Sequence, residues 1–217
     1  MATVEADDRT QDPPGQDPPA DGQPGAGRPP RKARPVFLVV GVVLAVGLAV
    51  GLFTGIGTGS GGGGRPQAGG PVPSFTLPRL GGGGTVGVPA GGGGNGRPAI
   101  LVFFASWCEQ CQAEIPMVAR TYRQELATHS PLARVAVIGI DGSDRRSTAL
   151  RFVHRSGVTF PVGADDDYAV TNGQFYLTGL PDTVYVNGNG TVAAVRPGAI
   201  TSAAELRSWQ RRLLTGG

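Results

Sequence analysis

The chain has 217 residues, and Gly (37) and Pro (19) together make up about a quarter of them, a level at which low-complexity segments accompany any folded part. Net charge is only +3 and Lys32 is the sole lysine among 19 basic residues, so no broad basic surface argues for nucleic acid as a partner. The two cysteines, Cys108 and Cys111, are too close to staple a large domain and leave no second pair for a four-thiolate zinc site, so no metal is expected.

Residues 1–35 are rich in Pro, Gly, Asp and Gln. A segment with so little apolar surface cannot offset its ordering entropy, and it is predicted to be a disordered tail. Residues 36–56 then run without a charge. At 1.5 Å per helical residue, about 20 residues cross a hydrocarbon core of roughly 30 Å, so the run is predicted to be a single transmembrane anchor. Arg28, Arg31, Lys32 and Arg34 lie directly before it and the next base is Arg65. The positive-inside rule therefore keeps the N-terminus cytoplasmic and everything after the run outside. The competing reading, a cleaved signal peptide, fits less well with so long a run and so extended a leader. Gly47, Gly51 and Gly55 share one face of this helix, a spacing that permits helix pairing, although Gly is common throughout the chain.

Residues 57–70 read as a Gly-rich linker, and 71–217 as the folded domain. Residues 71–80 are expected to form a short edge strand entering it, and 85–88 a further strand between Gly-rich loops at 81–84 and 91–94. The continuous apolar run 99–105 is of strand length and predicts a strand covered on both faces. Residues 108–128 are predicted to be helical, with Cys111, Ile115, Val118, Ala119, Tyr122 and Leu126 on the inner side. A second buried strand is expected over 134–140. A helix over 143–156 follows, with Leu150 and Val153 facing inward and Gly157 as its stop. A short strand is placed at 159–162. Residues 183–186 and 191–195, joined by Asn187-Gly188-Asn189-Gly190, read as an antiparallel hairpin. A last helix over 202–214 carries a Ser202/Glu205 capping box and an apolar stripe of Leu206, Trp209 and Leu213. The order β-α-β-α-β-β-α implies an α/β fold with a mixed central sheet flanked by helices.

The motif that carries chemistry is Trp107-Cys108-Glu109-Gln110-Cys111, between a buried strand and a helix start. Free N–H groups and partial positive charge at a helix N-terminus favour a thiolate. Cys108 is therefore the expected exposed nucleophile, and Cys111, one turn further in, the thiol that resolves a mixed disulfide. A static disulfide would close only a tiny loop and stabilise little. A Cys-x-x-Cys at a strand-to-helix junction thus points to redox exchange, with no organic cofactor, because the disulfide itself carries the electrons.

The segment FFASWCEQCQAEIP, together with FTLP near residue 75 and GLPDT at 179–183, resembles the extracytoplasmic thioredoxin-like proteins of the TlpA/ResA type. The resemblance covers residues 71 to the C-terminus. It implies a thioredoxin fold and membrane-tethered thiol–disulfide exchange, for example the reduction of apocytochrome c cysteines, with electrons from a membrane partner such as a CcdA/DsbD-type thiol transporter. It also implies that Cys108 and Cys111 are the redox pair and Glu114 an active-site carboxylate that relays protons. Pro116 matches the proline that kinks the active-site helix, and Trp107 an aromatic shielding the site. Leu180-Pro181 matches a cis-proline loop whose backbone pairs with substrate in short strand fashion.

Two departures bear on direction. Gln110 stands where the family usually has proline, leaving an N–H near the sulfurs that favours thiolate and raises the reduction potential. Glu109 acts the other way, because its charge disfavours a neighbouring thiolate. Val102 replaces the buried Asp that cytoplasmic thioredoxins carry six residues before the first cysteine, in keeping with the TlpA/ResA group. The alternatives are an oxidase or isomerase introducing disulfides into secreted proteins, and a copper chaperone of the Sco type. The latter uses a C-x-x-x-C spacing and a distant His, whereas here the spacing is C-x-x-C and Pro181 guards against metal. His129 and His154 read as surface residues, Asp165, Asp166 and Asp167 as a solvated loop or helix cap, and Arg207, Arg211 and Arg212 as the outer face of the last helix.

Overall fold

The computed structural model describes residues 64–89 and 96–216. The predicted tail, the transmembrane run with its glycines, the first half of the Gly-rich linker and the 91–94 loop lie outside the described residues. Among the described residues no helix is long and apolar enough to cross a membrane.

Five strands form the central sheet: β3 (Ala99–Phe104), β4 (Ala136–Gly142), β5 (Val162–Asp165), β6 (Asp182–Val186) and β7 (Val192–Pro197). Their spatial order is β5-β4-β3-β6-β7. β3, β4 and β5 run parallel, with Val102 opposite Gly139 and Gly139 opposite Val162. β6 is antiparallel to β3, with Val102 opposite Thr183, and β7 is antiparallel to β6. The mixed sheet is as expected.

Helix α1 (Glu109–Ala127) joins β3 to β4, α2 (Arg146–Arg155) joins β4 to β5, and α3 (Ala203–Thr215) follows β7. Both crossovers step in the same direction across the sheet, and right-handed crossovers then place both helices on one face. Side-chain packing agrees. Ile100, Val102 and Phe104 of β3 share a core with Ile115 and Val118 of α1, Phe152 of α2, and Leu206 and Leu213 of α3. The three α-helices therefore lie on one face rather than flanking the sheet.

The opposite face, with Leu101, Phe103, Ile140 and Val184, is covered by Phe75, Leu77 and Val88 and by Val170, Phe175 and Leu177. The first three belong to the antiparallel pair β1 (Phe75–Pro78) and β2 (Thr85–Val88), which forms a two-stranded sheet of its own. The expected edge strand is thus a separate ribbon, tied to β5 by the Leu80 N–H donating to the Val162 carbonyl (2.8 Å). A π-helical turn, Ala169–Gln174, supplies the remaining cover and was not anticipated.

Several boundaries moved for identifiable reasons. The strand expected over 159–162 begins at Val162, because Pro161 has no N–H to give a ladder. α2 begins three residues late, because Ser143 takes a positive φ of 56° and Asp144 turns toward the disulfide loop. Its buried residues are Ala149 and Phe152, with Leu150 and Val153 only partly covered. In α1, Leu126 is 44% exposed while Glu125 is buried. From α3, Gln210 Nε2 reaches Glu125 Oε2 at 2.7 Å and Arg207 Nε approaches Glu125 Oε1 at 3.4 Å. Polar partners on the facing helix thus replace an apolar contact, and Arg207 belongs to a helix–helix clasp rather than an outer face.

The chain approaches the sheet along β7. Gly69 N donates to Val192 O, Val192 N to Gly70 O (both 2.8 Å), and Val72 N to Gly190 O (3.0 Å).

Candidate active site

β3 delivers the chain to Ala105, Ser106 and Trp107, and α1 departs from Cys108. Cys108 is the N-cap of α1 in extended backbone conformation, and its Sγ accepts the Cys111 N–H at 3.2 Å. Cys108 and Cys111 are joined as a disulfide, with Cα atoms 5.2 Å apart. The donor that reaches the sulfur is therefore the Cys111 amide. Cys108 retains 7% of its surface and Cys111 none. That difference gives the first cysteine to an incoming thiol and keeps the second inside, although Cys108 is less open than expected. Trp107 is 60% exposed, and Glu109 and Gln110 are exposed in the first turn of α1. Pro116 lies inside α1, which continues to Ala127.

Glu114 follows Cys111 by one turn on the buried face and is 2% exposed, so it is not a solvated helix charge. Its Oε1 accepts the Ile200 N–H at 2.8 Å, while Oε2 has no protein partner. Burial pushes its pKa up to about 7, against the opposing pull of the Ile200 N–H and with a small push from Glu205. A carboxyl poised there can both give and take a proton at neutral pH. Beyond it, Tyr185 stacks on Trp209 with centroids 4.1 Å apart, and Arg212 lies over the far indole at 4.9 Å.

The Leu180–Pro181 peptide bond is cis, as the sequence resemblance implied. Leu180 packs against the cluster that contains both cysteines. Asp182, the next residue, is buried and ion-paired with Arg65 at 3.2 Å. Burial raises its pKa and the Arg65 charge opposes that rise. Val102 is fully buried in the cluster that holds Cys111.

Sequence reasoning missed a group of acids behind the disulfide loop. Asp144 grips Ser106 with both carboxylate oxygens: Ser106 N donates to Oδ2 at 2.6 Å and Ser106 Oγ to Oδ1 at 2.7 Å. Asp141, at the end of β4, is 2% exposed and its Oδ1 has no hydrogen-bond partner in the protein. Burial pushes its pKa up to about 8, reinforced by a hydrogen bond to the Asp144 carboxyl and by the charges of Asp144, Asp166 and Asp165. The pattern Asp-Gly-Ser-Asp ending an apolar strand was the available clue. Asp165 is also buried rather than solvated, accepting from Val170 N (3.0 Å), Thr171 N (2.7 Å) and Thr171 Oγ1 (2.7 Å). Asp166 is exposed and faces Arg146 at 3.9 Å. His129 and His154 are exposed. Among the described residues no group of three or more His, Cys, Asp or Glu side chains is placed to hold a metal ion.

A mixed sheet, a disulfide at a helix N-terminus and a cis-proline turn define the class: a thioredoxin-like α/β domain with a dithiol–disulfide pair. Residues 68–195 match the AhpC/TSA family, and the chain belongs to that family. It is 28% identical over 109 residues to the thiol-disulfide oxidoreductase ResA of Bacillus subtilis, covering 50% of this chain and 58% of that protein. It is 30% identical over 135 residues to the thiol:disulfide interchange protein DsbE of Xylella fastidiosa, covering 60% and 61%. The chain thus spans about three-fifths of the length of these curated relatives. Among solved structures, MTB DsbF, described in mixed oxidised and reduced forms, superposes with a TM-score of 0.53 at 27% identity, covering 65% of this chain and 98% of the other.

Proposed function

We propose that this chain is a membrane-anchored thiol–disulfide oxidoreductase that exchanges its Cys108–Cys111 disulfide with extracytoplasmic protein thiols and acts as a reductase, as in cytochrome c maturation. The observation that carries the reading is the Cys108–Cys111 disulfide at the start of α1, with its outer cysteine alone retaining accessible surface. In the reducing direction the Cys108 thiolate attacks a substrate disulfide and forms a mixed disulfide. Cys111 then attacks the Cys108 sulfur, the substrate leaves as a dithiol, and the domain is left oxidised. Glu114 takes the Cys111 proton as that thiol becomes nucleophilic, and returns it on re-reduction. Trp107 and the Leu180–Pro181 backbone receive the substrate chain, and Glu109 and Gln110 tune the potential from the first turn. No organic cofactor takes part.

Two electrons must re-enter for each turnover. A CcdA/DsbD-type membrane thiol transporter is the donor this reading calls for. The basic cluster before residues 36–56 and the uncharged run itself support an extracytoplasmic domain behind a single-pass anchor with a cytoplasmic N-terminus.

The test is the reduction potential of the pair in the full chain, equilibrated with dithiothreitol or glutathione buffers. A value near thioredoxin's roughly −270 mV supports the reductase. A value near roughly −120 mV replaces it with the oxidase that introduces disulfides into secreted proteins, a reading that the thiolate-favouring Cys111 N–H to Cys108 Sγ contact also accommodates.

A further inference from the structure

We propose that Asp144 and Asp141 are positioning residues for the redox pair, Asp144 clamping Ser106 in the loop that presents Trp107 and Cys108, and the buried Asp141 carboxyl bracing Asp144 from behind. The inference rests on the exchange activity proposed above and concerns two residues that play no part in the exchange steps themselves.

The loop 105–107 has little else to fix it. Ala105 is buried, but Trp107 projects into solvent. Ser106 is held by the two Asp144 contacts, and its carbonyl accepts Gln112 Nε2 at 2.9 Å. Charge-assisted contacts of 2.6 and 2.7 Å to both oxygens of one carboxylate fix orientation as well as distance. Asp144 comes from the stretch between β4 and α2, so the clamp joins two elements 38 residues apart in sequence, two positions before the nucleophile.

Asp141 explains why Asp144 stays in place. It is 2% exposed with its Oδ1 unpartnered, and the Asp144 carboxyl is among the groups that raise its pKa, so one proton is held between the two acids. The raised pKa keeps that proton on Asp141, while both Asp144 oxygens accept from Ser106. The groups facing Asp141 are Asp144 from the connecting stretch after β4, Asp165 at the end of β5, Asp166 just after it, and the Tyr168 phenol. Tyr168 lies against Gly142, where an added Cβ would stand 2.7 Å from its ring. Arg146 faces Asp166 at 3.9 Å. Among the described residues every charge that acts on Asp141 is negative and opposes its ionisation. Losing the shared proton therefore sets two carboxylates against each other beneath Ser106. That weakens the clamp and adds negative charge behind the loop, disfavouring the Cys108 thiolate and so the reduced form.

The experiment measures the equilibrium constant of the full-length protein with dithiothreitol at pH 6 and pH 9, for wild type, Asp141→Asn and Ser106→Ala. The buffer's own titration cancels in the variant-to-wild-type ratio at each pH. Asn keeps a donor toward Asp144 and cannot ionise, so Asp141→Asn should become at least threefold more readily reduced, relative to wild type, at pH 9 than at pH 6. Ser106→Ala removes the hydroxyl arm of the clamp at an unburied residue and should shrink the wild-type pH effect. A ratio for Asp141→Asn that stays constant, or moves the other way, overturns the proposal. If Asp141→Asn does not fold, an unaltered pH effect in Ser106→Ala overturns it. A wild type that exchanges with dithiothreitol at neither pH overturns the exchange activity itself, which separates the two failures.

Discussion

Cys108 and Cys111 differ by one helical turn, and that turn separates an accessible sulfur at an N-cap from one sealed in the core. Cys111→Ser should therefore accumulate a mixed disulfide through Cys108 with a protein substrate, while Cys108→Ser should accumulate none. Non-reducing gel electrophoresis after acid quenching distinguishes them. Glu114 carries a pH signature. Its pKa is about 7 in the folded chain against 4.5 for the ordinary carboxyl. The folded state thus holds a proton that the unfolded state releases, and stability falls as pH rises from about 4.5 to about 7. Glu114→Gln should remove that slope and raise stability at pH 8 by up to about 3 kcal/mol, with no gain at pH 4, as read from thermal melts across pH. Both cysteines and Glu114 were legible as a motif at fixed spacing. Asp141 and Asp144 were not, because their roles depend on contacts between strand ends that lie next to each other only after the sheet has formed, whereas Asp165 takes the helix-cap role read from the sequence by accepting from Val170 N and Thr171 N.

The helices and strands show the same division. β3, with every residue buried, was plain from its uninterrupted apolar run, and the β6–β7 hairpin from its turn residues. The inner face of α1 was read correctly as far as Tyr122, which packs against the core, and then failed, because Glu125 is buried against Gln210 and Arg207 of α3 while Leu126 faces out. A helical wheel sees polarity and not the partner that satisfies it. Arg207→Ala should accordingly destabilise the chain by about 1–2 kcal/mol at pH 8, discounted for the partial exposure of the arginine. The loss should be smaller at pH 4, where a protonated Glu125 needs no counter-charge, and denaturant titration at the two pH values checks this. Ile115 lies fully buried on the same helix, and Ile115→Ala should cost about 2–5 kcal/mol in the same assay.

For the molecule as a whole, the edge at β7 is closed by the chain's own approach, Gly69 and Gly70 pairing with Val192. Gly69 has φ +84° and donates its N–H there. Gly69→Pro forbids both and should lower the melting temperature and cause concentration-dependent association through the bared strand, measured by light scattering. The same approach decides from which side the domain can be handled. Arg65 meets Asp182 directly after the cis-proline, and Asp182 pairs with Phe103 toward the cysteine end of β3. Leu213 and Leu214, by contrast, share a cleft with Gly96, Arg97 and Pro98 at the opposite end of that strand. A fusion or fluorophore placed after α3 therefore hangs from the back of the molecule and leaves the thiol face clear. Cargo joined just ahead of Arg65 arrives beside the disulfide, where it competes for space with whatever the domain reduces.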